Sequence, residues 1–190
     1  MRQIILASTS PRRRQLMRHL GIPFKAVGSN YREVHHKHLK PEQLVKFLAL
    51  GKARAAAAKY QNAIIIGADT IIVYRGQIYG KPKSIDDARK MLKMLSGKMH
   101  EVCTAVVLCD SKSDKVIERV IKTKVYFREL NNQGIENYLA DGNFLDKAGA
   151  YAAQEHGSGL VKKIEGDFNN VVGLPLDVLQ KMLSKFRIKN

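Results

Sequence analysis

The sequence predicts an α/β protein, and three observations carry that expectation. Residues 4–20 read as strand, tight turn and helix: an apolar run Ile4-Ile5-Leu6-Ala7, small hydroxyl residues, then Pro11 at a first helical position with Ser10 as N-cap. A helical pattern over 41–60 precedes Ala63–Tyr74, where β-branched residues on both faces indicate a buried central strand. Apolar runs and helical patterns go on alternating to the end, without repeats, low-complexity segments or evident linkers. The 190 residues fit one domain, 1–190, with room for two lobes and a sizeable core.

Composition narrows the class. Hydrophobic content of 45% with 26% charged residues describes an ordinary globular chain. No apolar run nears the roughly 20 residues that span a bilayer, and the N-terminus does not resemble a secretory signal, so a cytoplasmic location is expected. The net charge of +16 favours anionic ligands. The basic residues are scattered and no aromatics interleave with them, so specific nucleic-acid binding is not expected. Cys103 and Cys109 share one apolar run; on a strand they would lie roughly 20 Å apart, far beyond disulfide reach, and read as reduced core residues.

The elements follow in order. Helix 11–20 has Leu16, Met17 and Leu20 at helical spacing, and backbone N–H groups at its leading turn are expected to face open space. A helix N-terminus carries roughly half a positive charge, yet Arg12, Arg13 and Arg14 occupy its first turn. That arrangement repels itself unless an anion sits there, and guanidinium forks match phosphate geometry. A short strand ends near Ser29, and a polar loop follows with Glu33 and the histidines His35, His36 and His38. Their adjacency around a lysine fits a solvated loop better than a metal site. The 41–60 helix has Leu44, Phe47, Leu48 and an alanine-rich second half as its apolar face; Lys52, just past Gly51, reads on spacing alone as a surface lysine.

Asp69 stands in the middle of the 63–74 strand, where a carboxylate is expensive to bury without a partner. Arg75-Gly76 predicts a two-residue turn into Gln77–Pro82, with facing positions summing to 151. Extended, that register sets Thr70 opposite Lys81 and Asp69 opposite Pro82, so Asp69 and Lys81 become near neighbours: a catalytic pairing or a structural salt bridge. Ser84-x-x-Asp87 opens a helix in the manner of a capping box, with Ala88, Met91, Leu92 and Leu95 inward and Gly97 at its end. Val102–Cys109 and Val116–Phe127 read as strands around a polar turn, and Asn131 or Asn132 caps a helix with Ile135, Tyr138 and Leu139 inward. Asp146-Lys147-Ala148-Gly149-Ala150-Tyr151 sets an acid and a base before three small residues that let a ligand or backbone approach closely, and Gln154 can read a base edge. A strand at 160–164 and a last helix bearing Leu179, Met182, Leu183 and Phe186 complete the chain.

Three stretches together resemble the Maf family of nucleoside triphosphate pyrophosphatases, nearly end to end. They are A-S-T-S-P-R-R at 7–13; G-A-D-T-I-I-V at 67–73 with G-K-P at 80–82; and D-K-A-G-A-Y at 146–151, then Gln154 and G-D-F-N-N-V-V-G-L-P at 166–175. The resemblance implies a Maf/ITPase-like fold, a long twisted mixed β-sheet flanked by helices, with two lobes around a central cleft and a homodimer. It implies cleavage of a nucleoside triphosphate between its α and β phosphates with a divalent cation, and a link to cell-division arrest. By motif position the family's phosphate-binding serine falls on Ser8 or Ser10, its arginines on Arg12 and Arg13, and its central lysine on Lys52. Its catalytic acid falls on Asp69, its G-K-P lysine on Lys81 and its base-side glutamine on Gln154. Thr70, Asp146 and Lys147 join them as substrate-binding candidates. Glu33 matches an acid usually preceded by another acid, here Arg32; Glu33 and Asp69 are the metal-ligand candidates, for Mg²⁺ or Mn²⁺.

The second arginine after S-P-R, G-A-D-T, and D-K-A-G-A-Y with its downstream Gln look like the branch acting on dTTP and UTP, or on modified pyrimidine nucleotides as a house-cleaning enzyme. The other branch acts on 7-methyl-GTP. A non-catalytic nucleotide-sensing division regulator and a nucleic-acid-binding module are the remaining alternatives.

Overall fold

A computed structural model describes residues 2–32, 38–113, 115–140, 144–153 and 159–186. The α/β alternation is realised. Strand β1 (Gln3–Ala7) leads to helix α1 (Pro11–Arg18), β2 (Lys25–Val27) and α2 (Pro41–Ala57). Then come β3 (Ala63–Tyr74), β4 (Gln77–Tyr79), α3 (Ile85–Leu95), β5 (Met99–Asp110), β6 (Val116–Phe127) and α4 (Asn132–Ala140). A single 3-10 turn (Ala148–Ala150) precedes β7 (Val161–Glu165), α5 (Phe168–Val172) and α6 (Leu176–Ser184).

The strands form one seven-stranded sheet in the order β2-β1-β3-β5-β6-β7, with β4 paired to β3. It is mixed: β1 runs parallel to both β2 and β3, whereas β4 is antiparallel to β3 and β7 to β6. The hairpin register is the expected one, with Ile72 facing Tyr79, Val73 facing Ile78 and Tyr74 facing Gln77. Arg75 (φ 49°) and Gly76 (φ 76°) take the two positive angles that a type I′ turn needs.

Side-chain caps start the helices where the sequence places them. Ser84 Oγ accepts from Asp87 N at 3.2 Å, but the Asp87 carboxylate takes the N–H of Lys83 rather than that of the cap residue. Asn131, not Asn132, opens α4, its Oδ1 accepting from Gly134 N at 2.7 Å. Helix α5 was not expected; Asp167 Oδ1 accepts from both Asn169 N and Asn170 N and so nucleates a turn inside what reads as a loop.

Contacts divide the chain into two compact units. The first comprises Met1–Asp69, Thr104–Ile121 and Gly173–Asn190; the second comprises Thr70–Cys103 and Lys122–Val172. The first buries Leu6, Ile64, Ile65 and Ile66 from β1 and β3, Val45, Leu48 and Ala49 from α2, and Leu179 and Leu183 from α6. The second has its own core of Ile72, Leu92, Leu95, Val102, Phe127, Ile135, Tyr138 and Tyr151. Cys103 and Cys109 form no disulfide and are both buried, as expected. Among the described residues no helix is long and apolar enough to cross a membrane.

Candidate active site

In the first unit the site begins with a close backbone approach. Gly67 of β3 lies so near α2 that a Cβ there would fall 2.3 Å from the Ala49 carbonyl oxygen and 2.8 Å from Ala53 Cβ. Asp69 is two residues further along, on the same face of β3 as Gly67, and Lys52 is three residues beyond Ala49, on the same face of α2. The consequence is an ion pair between Lys52 Nζ and Asp69 Oδ1, with the two side chains only 14% and 11% exposed. A carboxylate this deep needs such a partner, because desolvation of an unpaired charge costs several kcal/mol.

The partner differs from the hairpin expectation, which paired Asp69 with Lys81. The β3–β4 ladder ends at Ile72–Tyr79, so Gly80 and Lys81 leave the strand before the register could carry Lys81 further; Lys81 is exposed. Lys52, a surface lysine on spacing alone, is the residue that meets the acid. No local pattern signals it, since the two are 17 positions apart on different elements.

The leading turn of α1 also differs in one respect. Ser10 caps the helix, its Oγ accepting from Arg13 N at 3.5 Å, and its carbonyl takes Arg14 N at 3.2 Å. Ser8, itself buried, accepts from Ser10 N at 3.2 Å through its Oγ. The N–H groups of Ser10, Arg13 and Arg14 are therefore engaged within the turn. Arg12, Arg13 and Arg14 are half-buried with no acid in the first turn, so cationic character there resides in the guanidinium groups. Arg13 Nε donates to the carbonyl oxygen of Gly173 at 2.8 Å.

The second unit carries the other candidates. Lys147 is buried (4% exposed) and lies 3.3 Å from the Asp146 carboxylate, which is 55% exposed. Gly149 N donates to Gly80 O at 2.9 Å, joining the D-K-A-G-A-Y segment to the loop that bears Lys81. Thr70 is half-buried on β3. Glu33 and Gln154 lie outside the described residues.

Two polar sites went unnoticed in the sequence. His100 at the start of β5 is 1% exposed; its Nε2 sits 2.6 Å from Tyr151 Oη, and its ring packs edge-on against Phe127 and Tyr151. Burial pushes the His100 pKa down to about 4 and raises that of Tyr151 well above the usual phenol range. Asn170 is fully buried, and its Nδ2 donates to Val102 O at 3.1 Å and Thr123 Oγ1 at 2.9 Å. Thr123 Oγ1 in turn donates to Asp167 O at 3.1 Å. The doubled asparagine in G-D-F-N-N was the available signal for Asn170; His100, amid Met99 and Glu101, gave none.

As to a metal, no group of three or more His, Cys, Asp or Glu able to hold an ion occurs among the described residues. His38 is exposed, and His35 and His36 lie outside the described set. The donor that is present, the Asp69 carboxylate, is the hard oxygen type that Mg²⁺ uses when one or two carboxylates share it with substrate phosphates. That mode fits a site with one described acid; an all-protein cage does not.

Comparison with known proteins agrees in extent and in name. The sequence profile of the family described as Maf-like protein matches residues 3–186. A Dictyoglomus thermophilum protein named dTTP/UTP pyrophosphatase is 45% identical over 185 residues, covering 97% of this chain and 96% of its own. Proteins of the same name from Moorella thermoacetica (45% identical, covering 99% and 97%) and Methanosarcina barkeri (44%, covering 97% and 94%) match as fully. Among solved structures, the Ham1 protein of Staphylococcus aureus superposes with a TM-score of 0.52 at 17% identity, covering 97% of this chain and 99% of that one, a likeness of fold alone.

Proposed function

The chain belongs to the Maf family, and on that premise we propose that it is a nucleoside triphosphate pyrophosphatase cleaving dTTP and UTP to the monophosphate and pyrophosphate. One observation carries the reading: identity near 45% over almost the whole chain to relatives bearing that activity in their name. The buried Lys52–Asp69 pair supports it, since a charged pair held below the surface is often no more stabilising than apolar residues of the same volume and is better explained by chemistry.

In the mechanism we propose, Arg12 and Arg13 neutralise the phosphate tail together with Lys81. Asp69, aimed by Lys52, orients the water that attacks the α-phosphorus and takes up its proton. Asp69 and Glu33 are the residues that would hold a divalent cation, which would supply stabilisation of the charge on the leaving pyrophosphate. Asp146, Lys147 and Thr70 are assigned to substrate binding and Gln154 to the base, and Ser8 and Ser10 act by shaping the turn that carries the arginines. A single domain, a homodimer and a cytoplasmic setting belong to the same proposal, the dimer being checked by light scattering.

The test is pyrophosphate release across dTTP, UTP, the purine triphosphates and 7-methyl-GTP, with and without Mg²⁺. Fastest release from dTTP and UTP, dependent on the cation, is the expected result. Dominant cleavage of 7-methyl-GTP moves the enzyme to the other branch, and tight binding without release makes it a sensor.

A further inference from the structure

Ser8 and Ser10 engage two of the N–H groups of the α1 turn, and the arginines of that turn add guanidinium groups whose aim matters for meeting an anion. A guanidinium is a rigid plane, so fixing Nε fixes the direction of its two terminal nitrogens. For Arg13 that fixing partner is a backbone atom 160 positions away, the Gly173 carbonyl at 2.8 Å, within the same unit. Gly173 is buried and has φ 117°, a conformation that residues with a side chain rarely adopt. The carbonyl direction that Arg13 uses is thus one that glycine alone offers without strain.

We infer that Gly173 is a positioning residue: its carbonyl sets the plane in which the Arg13 guanidinium meets the phosphate tail of the substrate. The inference rests on the pyrophosphatase reading. It assigns the Gly in G-L-P a role in binding, separate from packing.

The experiment pairs Gly173→Ala with Arg13→Lys. Affinity for the non-hydrolysable α,β-imido-dTTP is measured by calorimetry, alongside kcat and KM for dTTP. Gly173→Ala is expected to weaken analogue binding about tenfold, as for loss of a hydrogen bond to a charged group. The kcat should stay within about threefold. Lysine keeps the charge and loses the plane, so Arg13→Lys should cost affinity in the wild-type background and little more in Gly173→Ala. Additive losses, or unaltered binding by Gly173→Ala, overturn the inference. Should Gly173→Ala not fold, the Nε–H resonance of Arg13 in the unaltered protein decides, assigned by its disappearance in Arg13→Lys. Exchange with water slower than at exposed arginines is expected, and exchange equally fast refutes the anchor. Wild-type protein that neither binds the analogue nor releases pyrophosphate defeats the pyrophosphatase reading instead, and leaves the exchange result standing.

Discussion

The two units bury polar groups to different ends. In the first, an ammonium and a carboxylate, Lys52 and Asp69, are brought together beneath the surface by α2 and β3. In the second, His100 meets Tyr151, and Asn170 meets Thr123 and the Val102 carbonyl, all uncharged groups, while the buried Lys147 has an exposed partner in Asp146 rather than a buried one. A charged pair is costly to desolvate and gives a reaction something to use. An uncharged network fixes shape without the cost of burying a charge. On the proposed function, the charged pair is kept for what it does and the uncharged network for what it holds.

Substitutions can break or sharpen that contrast. The largest effect is expected for Asp69→Asn, which keeps shape and removes the charge: dTTP turnover should fall about a thousandfold, within the range for loss of a general base. Binding of α,β-imido-dTTP should persist. Turnover close to wild type would put Asp69 on the side of mere architecture. Asn170→Ala is the converse case. Two buried hydrogen bonds vanish and the Val102 carbonyl loses its donor, so urea denaturation should show a loss of about 2–4 kcal/mol. Protein that remains folded should keep its kcat.

A third effect is set by pH. His100 titrates at about 4 in the folded chain, against 6.5 for an unburied imidazole. Between those values the unfolded chain binds the extra proton, so this residue's contribution is present above pH 6.5 and is lost as pH falls toward 4. The full span amounts to roughly 3 kcal/mol. His100→Gln, which cannot titrate, should flatten the fall in stability over that window relative to wild type, measured as the difference between the two proteins' urea midpoints. Identical slopes would mean the imidazole is not buried neutral. Smallest of all is Arg89→Ala on the surface of the second unit. Arg89 pairs with Glu136 at 2.5 and 2.9 Å and with Asp86, but solvent and salt screen such contacts, and the melting temperature should move little.

What the sequence made legible follows from how local each cause is. The Arg75-Gly76 turn and its register were readable because turn chemistry and alternation sit within a few residues of one another. Ser10 and Ser84 were readable as caps for the same reason, and Asn131 as one of two neighbouring candidates. The partner of Asp69 was not, because α2 reaches β3 through packing that no short window contains. The bond from Ser10 N to Ser8 Oγ was not legible, since a serine there can serve either the turn or a phosphate and residue type does not separate the two. His100 sits between Met99 and Glu101 with no local sign of burial, and its burial depends on Phe127 and Tyr151, distant in the chain. The roles of Asp69, Arg12 and Arg13 were suggested by family motifs, whose order and spacing carry more than any one residue.

One contact reaches further than its size suggests. With a hydrogen where other residues carry a methyl, position 67 lets the helix backbone rest on the strand, and the gap so fixed acts as a gauge for the arm of Lys52. Were that gap widened by one carbon, a four-methylene chain would have to stretch or fall short. Tuning this catalyst by exchanging its charged residues therefore presupposes a spacer that must itself stay unaltered.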